Sequence, residues 1–208
     1  RYPTEEWTFM NYGFASLNGG EPELETDKDE NNRYFIQLYH HVVSSVSLKG
    51  KKVLEAGSGR GGGSEFIKRY FEPQEMIGID FSEKAVDFCK KNYAVDGLTY
   101  IEGDAENLPF EDSSFDAVVN VESSHCYSDV SQFVKEVQRV LKPGGYFLFA
   151  DFRDLEDFNS LEDLLESSVL ELIKKENIST QVLKGLDEFN EEKMVRFKSI
   201  FGSWLKKP

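Results

Sequence analysis

Cysteine is scarce: 2 residues in 208, Cys89 and Cys126, far apart and without metal-ligand spacing. That excludes a disulfide framework and a cysteine zinc site, and it predicts a reduced, cytoplasmic setting. No apolar run approaches the roughly 20 residues that span a bilayer, and no signal-peptide pattern opens the chain, so no integral membrane segment is expected. Arg1 stands where an initiator methionine would, so residues are expected to precede it. Positive charge is also in short supply. With 24 Lys and Arg against 38 Asp and Glu, the net charge is −14, which speaks against a nucleic-acid backbone or an anionic membrane surface as main partner. There is no internal repeat. What the chain does have is 39% hydrophobic and 13% aromatic residues, enough for one globular core.

Apolar strands alternate with amphipathic helices. Strands are expected over 51–56, 76–80, 98–102, 115–121 and 146–152, and helices over 31–46, 62–71, 82–93 and 129–141. In the last of these helices Val130, Phe133, Val134, Val137 and Leu141 follow helical spacing, and Pro143-Gly144-Gly145 is expected to end it. The 115–121 run is almost wholly apolar, as in a strand buried on both faces. This alternation predicts an α/β fold with a mostly parallel sheet and helices on both sides, its ligand site beyond the C-terminal strand ends. Three regions follow: 1–30, an aromatic flap (Trp7 to Phe14) and a solvated acidic loop (Glu21 to Glu30); 31–152, a Rossmann-like core; and 153–208, a helical substrate-side region in which Met194, Phe197 and Phe201 mark a helix. Cys89, His40 and His41 read as core or surface residues.

Between the first strand and the next helix lies Glu55-Ala56-Gly57-Ser58-Gly59-Arg60-Gly61-Gly62-Gly63. Such a junction lets backbone N–H groups and a helix N-terminus approach a nucleotide-like ligand. Gly57, Gly59 and Gly62 satisfy the G-x-G-x-x-G dinucleotide fingerprint. Glu55, Gly57, Gly59 and Gly61 equally satisfy the E/D-x-G-x-G-x-G loop that binds S-adenosylmethionine. Asp80, at the end of the second strand, suits two ribose hydroxyls and serves either cofactor.

Gly103-Asp104-Ala105-Glu106-Asn107-Leu108-Pro109-Phe110 separates the two. An acidic residue after the third strand can accept from the adenine amine while the next N–H donates to a ring nitrogen. Together with Glu55–Gly61, Asp80 and Leu141-Lys142-Pro143-Gly144-Gly145, in order and at the expected spacing, this segment resembles the class I S-adenosylmethionine-dependent methyltransferases over about residues 50–152. The resemblance implies roles. Glu55 braces the loop, and Gly57, Ser58 and Gly59 pass under the methionine and ribose. Asp80 holds the ribose hydroxyls with Phe81 against the adenine, and Asp104 and Ala105 read the adenine edge. Asn120 and Val121 approach the methionine end. A seven-stranded sheet of this family needs a further antiparallel pair. Only Ser203 to Lys207 resembles a fragment of one, so residues are expected to be missing near 201–203.

The loop Asn120 to Tyr127 resembles most the subgroup of phthiotriolone dimycocerosate methyltransferases and related natural-product O-methyltransferases. Met10-Asn11-Tyr12-Gly13 fits that subgroup too, with Tyr12 closing over S-adenosylmethionine. His125 is the candidate general base, because imidazole titrates near neutrality, and Glu122 competes for that role or anchors the cofactor's amino group. Cys126 and Tyr127 face the substrate side. The expected reaction is methylation of a hydroxyl on a small lipid, polyketide or peptide-type acceptor, with no metal. C-methylation of the sterol or quinone type and a silent cofactor-binding scaffold are the alternatives. Oligomeric state is left open.

Overall fold

The computed structural model describes residues 7–204, with side chains to residue 191. In chain order the elements are α1 (Asp27–Glu30), α2 (Arg33–Val43), β1 (Lys52–Ala56), α3 (Gly62–Phe71), β2 (Glu75–Asp80), α4 (Glu83–Asn92), β3 (Leu98–Glu102), β4 (Phe115–Val121), a 3-10 turn (Ser124–Cys126), α5 (Val130–Val140), β5 (Leu141–Ala150), α6 (Leu155–Glu166) and α7 (Ser179–Trp204). They form two compact units, residues 7–11 with 39–175 and residues 12–38 with 176–204.

The first unit carries the sheet, five strands in the order β3-β2-β1-β4-β5, every neighbouring pair parallel. The chain winds outward from β1 to β3, then returns to the other side of β1 for β4 and β5. The reversal leaves a crevice between the C-terminal ends of β1 and β4, where α/β folds bind their ligands. The register aligns Ala56 with Ile79, Asp80 with Glu102 and Val121 with Ala150, so these strand ends lie along one edge. Leu54, Ile79, Phe115, Val118, Phe133 and Val137 pack the core between the sheet and α5.

Capping follows the sequence at α4, where Ser82 Oγ accepts the Ala85 N–H, and at α5, where Asp129 accepts the Gln132 N–H. Three expectations are corrected. The acidic loop contains a helical turn, α1, because Thr26 caps it by accepting the Asp29 N–H. The chain turns extended at Leu141, not at Pro143: β5 begins there, opposite Phe115, and Lys142 to Gly145 are carried as a bulge before Tyr146 pairs with Ala117. Ser203 and Trp204 lie in α7 and not in a strand; Leu205 to Lys207 lie outside the described residues, and the side chains of Met194, Phe197 and Phe201 outside the described side chains.

In the second unit, residues 14–16 run as a strap joined to two helices. Phe14 N–H donates to Tyr34 O at 2.9 Å, and Ala15 N–H to Gln181 O at 3.0 Å. Lys184 Nζ reaches Ser16 O at 2.7 Å, and Phe35 meets Phe189 edge to face at 4.8 Å. No described helix is long and apolar enough to cross a membrane.

Candidate functional site

The glycine loop leaves β1 and is fixed from below. Gly57 and Ser58 N–H groups both donate to Ile79 O, at 2.9 and 3.0 Å. Tyr100 hydroxyl donates to Gly61 O at 2.7 Å, and Cys89 Sγ contacts Gly59 O at 3.5 Å. Gly57 and Gly61 have φ of +74° and +80°, a region that side chains avoid. A Cβ at Gly57 would also collide with Ser123 Oγ, and one at Gly61 with Cys89 Sγ and the Tyr100 ring. Burial and the nearby charges of Glu55 and Asp80 push the Cys89 thiol up to about 12, so it is an inert packing group.

Glu55 is fully buried beneath this loop. Tyr39 hydroxyl donates to its Oε1 at 2.6 Å, and Ser64 Oγ donates to its Oε2. Burial raises the Glu55 carboxyl from 4.5 to about 7, against the two hydroxyl donors, which favour the anion. Neither Tyr39 nor Ser64 stood out in the sequence, because nothing in residue spacing shows that α2 delivers a hydroxyl to β1.

Asp80 joins the ends of β1 and β2. Its Oδ2 accepts the Gly59 N–H at 2.7 Å and its Oδ1 the Ser82 N–H at 2.9 Å, so each oxygen keeps capacity for a further donor. Phe81, next in sequence, is 80% exposed, far from the burial usual for its type. Beyond β3, Asp104 is exposed and Ala105 buried. Asp104 Oδ1 accepts the Glu106 N–H at 2.8 Å, which closes a tight turn. This segment is sewn to α5: Leu108 N–H donates to Glu136 Oε2 at 2.8 Å, and Arg139 donates to Leu108 O and Phe110 O at 2.9 and 2.6 Å.

On the other wall, Asn120 is fully buried. Its Nδ2 donates to Ala56 O at 2.8 Å and to Tyr127 hydroxyl at 3.0 Å. Tyr127 and Ser123 hydroxyls share a 3.0 Å bond, and burial pushes the Tyr127 hydroxyl above its ordinary value. Tyr127 is thus tied into the loop, its ring edge to face with Phe133 at 4.9 Å. Val121 is buried and Cys126 exposed. Glu122 sits at φ +48°, a left-handed conformation that non-glycine residues adopt at a cost of roughly 1–3 kcal/mol and mostly at functional sites. Tyr12 belongs to the second unit and is 49% exposed.

His125 has partners that the sequence did not announce. Its Nδ1 lies 2.7 Å from Asp151 Oδ1, and its own N–H donates to Asp151 Oδ2 at 2.9 Å. Asp151 is the first residue past β5, its side chain 1% exposed against 26% for His125. Ser124 Oγ donates to Asp151 Oδ2 at 2.5 Å, and Arg153 donates to Ser124 Oγ at 2.7 Å. Phe152 backs the imidazole at a ring distance of 4.2 Å. A carboxylate only accepts, so Nδ1 carries the proton, and Nε2 is the ring nitrogen left for a second partner. The signal for Asp151 was position: the strand-end rule that picked out Asp80 and Asp104 applies equally to the fifth strand.

The C-terminal ends of β1 to β5 and the loops that follow them therefore hold Glu55 to Gly59, Asp80, Asp104, Asn120 to Tyr127 and Asp151 along one sheet edge. Residues 54–149 match the family model described as a methyltransferase domain. The chain is 39% identical over 191 residues to the fatty-acid O-methyltransferase of Mycolicibacterium smegmatis, covering 90% of this chain and 68% of that protein. It is 41% identical over 182 residues to the phthiotriol/phenolphthiotriol dimycocerosates methyltransferase of Mycobacterium tuberculosis, covering 88% and 67%. The chain thus spans about two thirds of the length of these relatives. Among solved structures, the geranyl diphosphate C-methyltransferase of Streptomyces coelicolor, crystallised with S-adenosyl-L-homocysteine, shares the fold at a TM-score of 0.66 and 17% identity over 88% of this chain and 77% of that one. With the parallel five-stranded sheet and a glycine loop at its switch point, these matches establish that the chain belongs to the class I S-adenosylmethionine-dependent methyltransferases.

Proposed function

We propose that this protein moves the methyl group of S-adenosylmethionine to a hydroxyl oxygen on a small, largely apolar, lipid-type acceptor, with His125 as general base. The observation that carries the hydroxyl is the His125–Asp151 pair at 2.7 Å. An imidazole whose Nδ1 proton is held by a carboxylate has a use where the nucleophile must lose a proton. The lipid character rests on the two curated relatives, which are named for fatty-acid and phthiotriol substrates.

The residues present suit the methyl donor. Ser58 Oγ and Asn120 Oδ1 are buried without a protein partner, one on each side of the crevice, and buried polar atoms left so are rare unless a ligand or water completes them. Asp80 keeps acceptor capacity for ribose hydroxyls, the exposed Phe81 ring offers a face to a nucleobase, and Asp104 with the Ala105 N–H offers an acceptor and a donor to its edge. Glu55 braces the loop from beneath. Asn120 and Val121 would line the end taken by the amino-acid portion, and Glu122, held at positive φ, would offer a carboxylate to its amino group.

The donor, when bound, supplies a methyl group already activated on a sulfonium sulfur. The protein's part is alignment and proton removal. His125 Nε2 would take the acceptor's hydroxyl proton as the acceptor oxygen gains the methyl carbon and the donor's C–S bond breaks, its electron pair staying on sulfur in S-adenosylhomocysteine, while Asp151, locked by Ser124, keeps Nδ1 protonated and would face the imidazolium that forms. Burial keeps the Tyr127 hydroxyl un-ionised, which removes it as a rival base, and Cys126 has no covalent step to perform. Exchanging His125 for Ala tests this. A loss of about a hundredfold in turnover with cofactor binding kept is expected of a general base, whereas unchanged turnover returns the role to Glu122 or to alignment alone.

A further inference from the structure

Glu106 plays no part in the mechanism above, yet it joins the two loops that the mechanism needs. Its Oε1 accepts the Ser128 N–H at 2.7 Å and the Asp129 N–H at 3.1 Å. Its own N–H donates to Asp104 Oδ1 at 2.8 Å. A continuous path of hydrogen bonds therefore runs from the Asp104 carboxylate, through the Glu106 backbone and side chain, to the two amides that follow Tyr127. From there the backbone itself leads back to His125, through a 3-10 turn closed by Tyr127 N–H on Ser124 O at 3.1 Å and Cys126 N–H on Ser123 O at 3.0 Å.

Capping does not account for this side chain. Asp129 already caps α5 by accepting the Gln132 N–H at 2.9 Å, and the amides that Glu106 takes are those of the cap and the residue before it, outside the helix. The far end of the same segment is fixed independently, by Glu136 and Arg139 on Leu108 and Phe110. Asp104 and Glu106 thus form the near end, which can respond to what occupies the crevice.

We infer that Glu106 is a positioning residue that couples nucleoside binding at the Asp104 turn to the ordering of the His125 loop. The inference rests on the proposed roles of Asp104 and His125. A nucleobase held by Asp104 and Ala105 fixes the turn, the turn fixes the Glu106 carboxylate, and the carboxylate holds Ser128 and Asp129 so that the 124–127 turn keeps the imidazole in place. The loop is then set before an acceptor arrives, and an empty site leaves it looser. Such a link is reciprocal and is no larger than the differential stability of the bonds that carry it.

Adenosine is the probe, because it carries the nucleobase and ribose without the methionine arm. Hydrogen exchange across residues 124–130 is measured with and without saturating adenosine in the wild type, E106Q, E106A and E106D. Exchange is expected to slow several-fold on binding in the wild type and in E106Q, whose amide oxygen still accepts both N–H groups. In E106A, and in E106D should the alanine variant fail to fold, adenosine binds but the slowing is lost. Turnover falls about fivefold to tenfold, the scale of one or two hydrogen bonds, with little change in acceptor KM, and E106Q restores it. Equal slowing in E106A and the wild type, or none in the wild type at saturation, overturns the coupling. Failure of adenosine to bind at all removes instead the nucleoside role of Asp104.

Discussion

His125 Nδ1 faces Asp151 Oδ1 at 2.7 Å across the ends of the 3-10 turn and β5. The same carboxylate takes the His125 backbone N–H, the Ser124 hydroxyl and the Phe152 N–H. It is a saturated acceptor buried under a partly exposed ring, and the ring's tautomer is its consequence. Exchanging Asp151 for Asn removes the obligate acceptor and lets the tautomer invert. Turnover in D151N is expected to drop about tenfold or more, because the proposed base would then carry its proton on Nε2, while cofactor affinity stays within about twofold. Loss of affinity in step with turnover would mark Asp151 as a fold residue only. Steady-state kinetics beside calorimetry separates the two.

Glu55 gives the protein a pH signature. Its carboxyl is raised from 4.5 to about 7 by burial, so between those values the folded state holds a proton that the unfolded state has lost. The Glu55 contribution to stability therefore falls as pH rises from about 4.5 to about 7 and is flat above, while His40, held below 6.5 by burial, acts in the opposite sense. E55Q removes the titration. Its melting temperature at pH 8 should match or exceed the wild type's, with a flatter profile below pH 7, while affinity for S-adenosylmethionine decreases through the loosened loop. Melting curves from pH 5 to 8 check the first part, and a wild-type slope retained in E55Q would refute it.

The two thiols should behave oppositely. Cys89 is buried under Gly59, with its thiol pushed up to about 12, whereas Cys126 is exposed. Iodoacetamide on the native protein at pH 8 should modify one site, Cys126, and leave Cys89 untouched until denaturant is added. Peptide mass mapping reads this directly, and native alkylation of Cys89 would contradict the packing beneath the loop.

Gly57 is the position where the loop has no room. A methyl group there would meet Ser123 Oγ, and φ is +74°. G57A is expected to bind S-adenosylmethionine at least about tenfold more weakly, as the clash and left-handed strain displace the β1 and β4 loops. Affinity within a factor of two would show that the crevice tolerates that displacement.

The strands were legible where burial writes them plainly. Phe115 to Val121 reads as a buried strand because nearly every side chain is inside, and Leu98 to Glu102 is bounded by turns on both sides. The start of β5 was not legible. Pro143 and Gly144 look like a helix stop, and the pairing of Leu141 with Phe115 that turns the chain extended is tertiary. The residues at the sheet edge could be read because parallel topology sends every C-terminal strand end to one place. Their partners could not. Tyr39 reaches Glu55 from 16 positions away, Asp151 reaches His125 from 26, and Glu106 reaches Ser128 from 22. Such pairings are made by crossover geometry and leave no periodic trace.

Methyl transfer to a hydroxyl with His125 as the proposed base is open to a labelling experiment. The most direct measurement supplies S-adenosylmethionine carrying a ¹³C-methyl group, together with long-chain alcohols and hydroxy acids, and follows product by mass spectrometry and carbon NMR. S-adenosylhomocysteine and methylated product are expected in equal amounts, with the label at the chemical shift of a methoxy carbon and the yield lost in H125A. Label appearing on carbon, or H125A turning over at the wild-type rate, would contradict it.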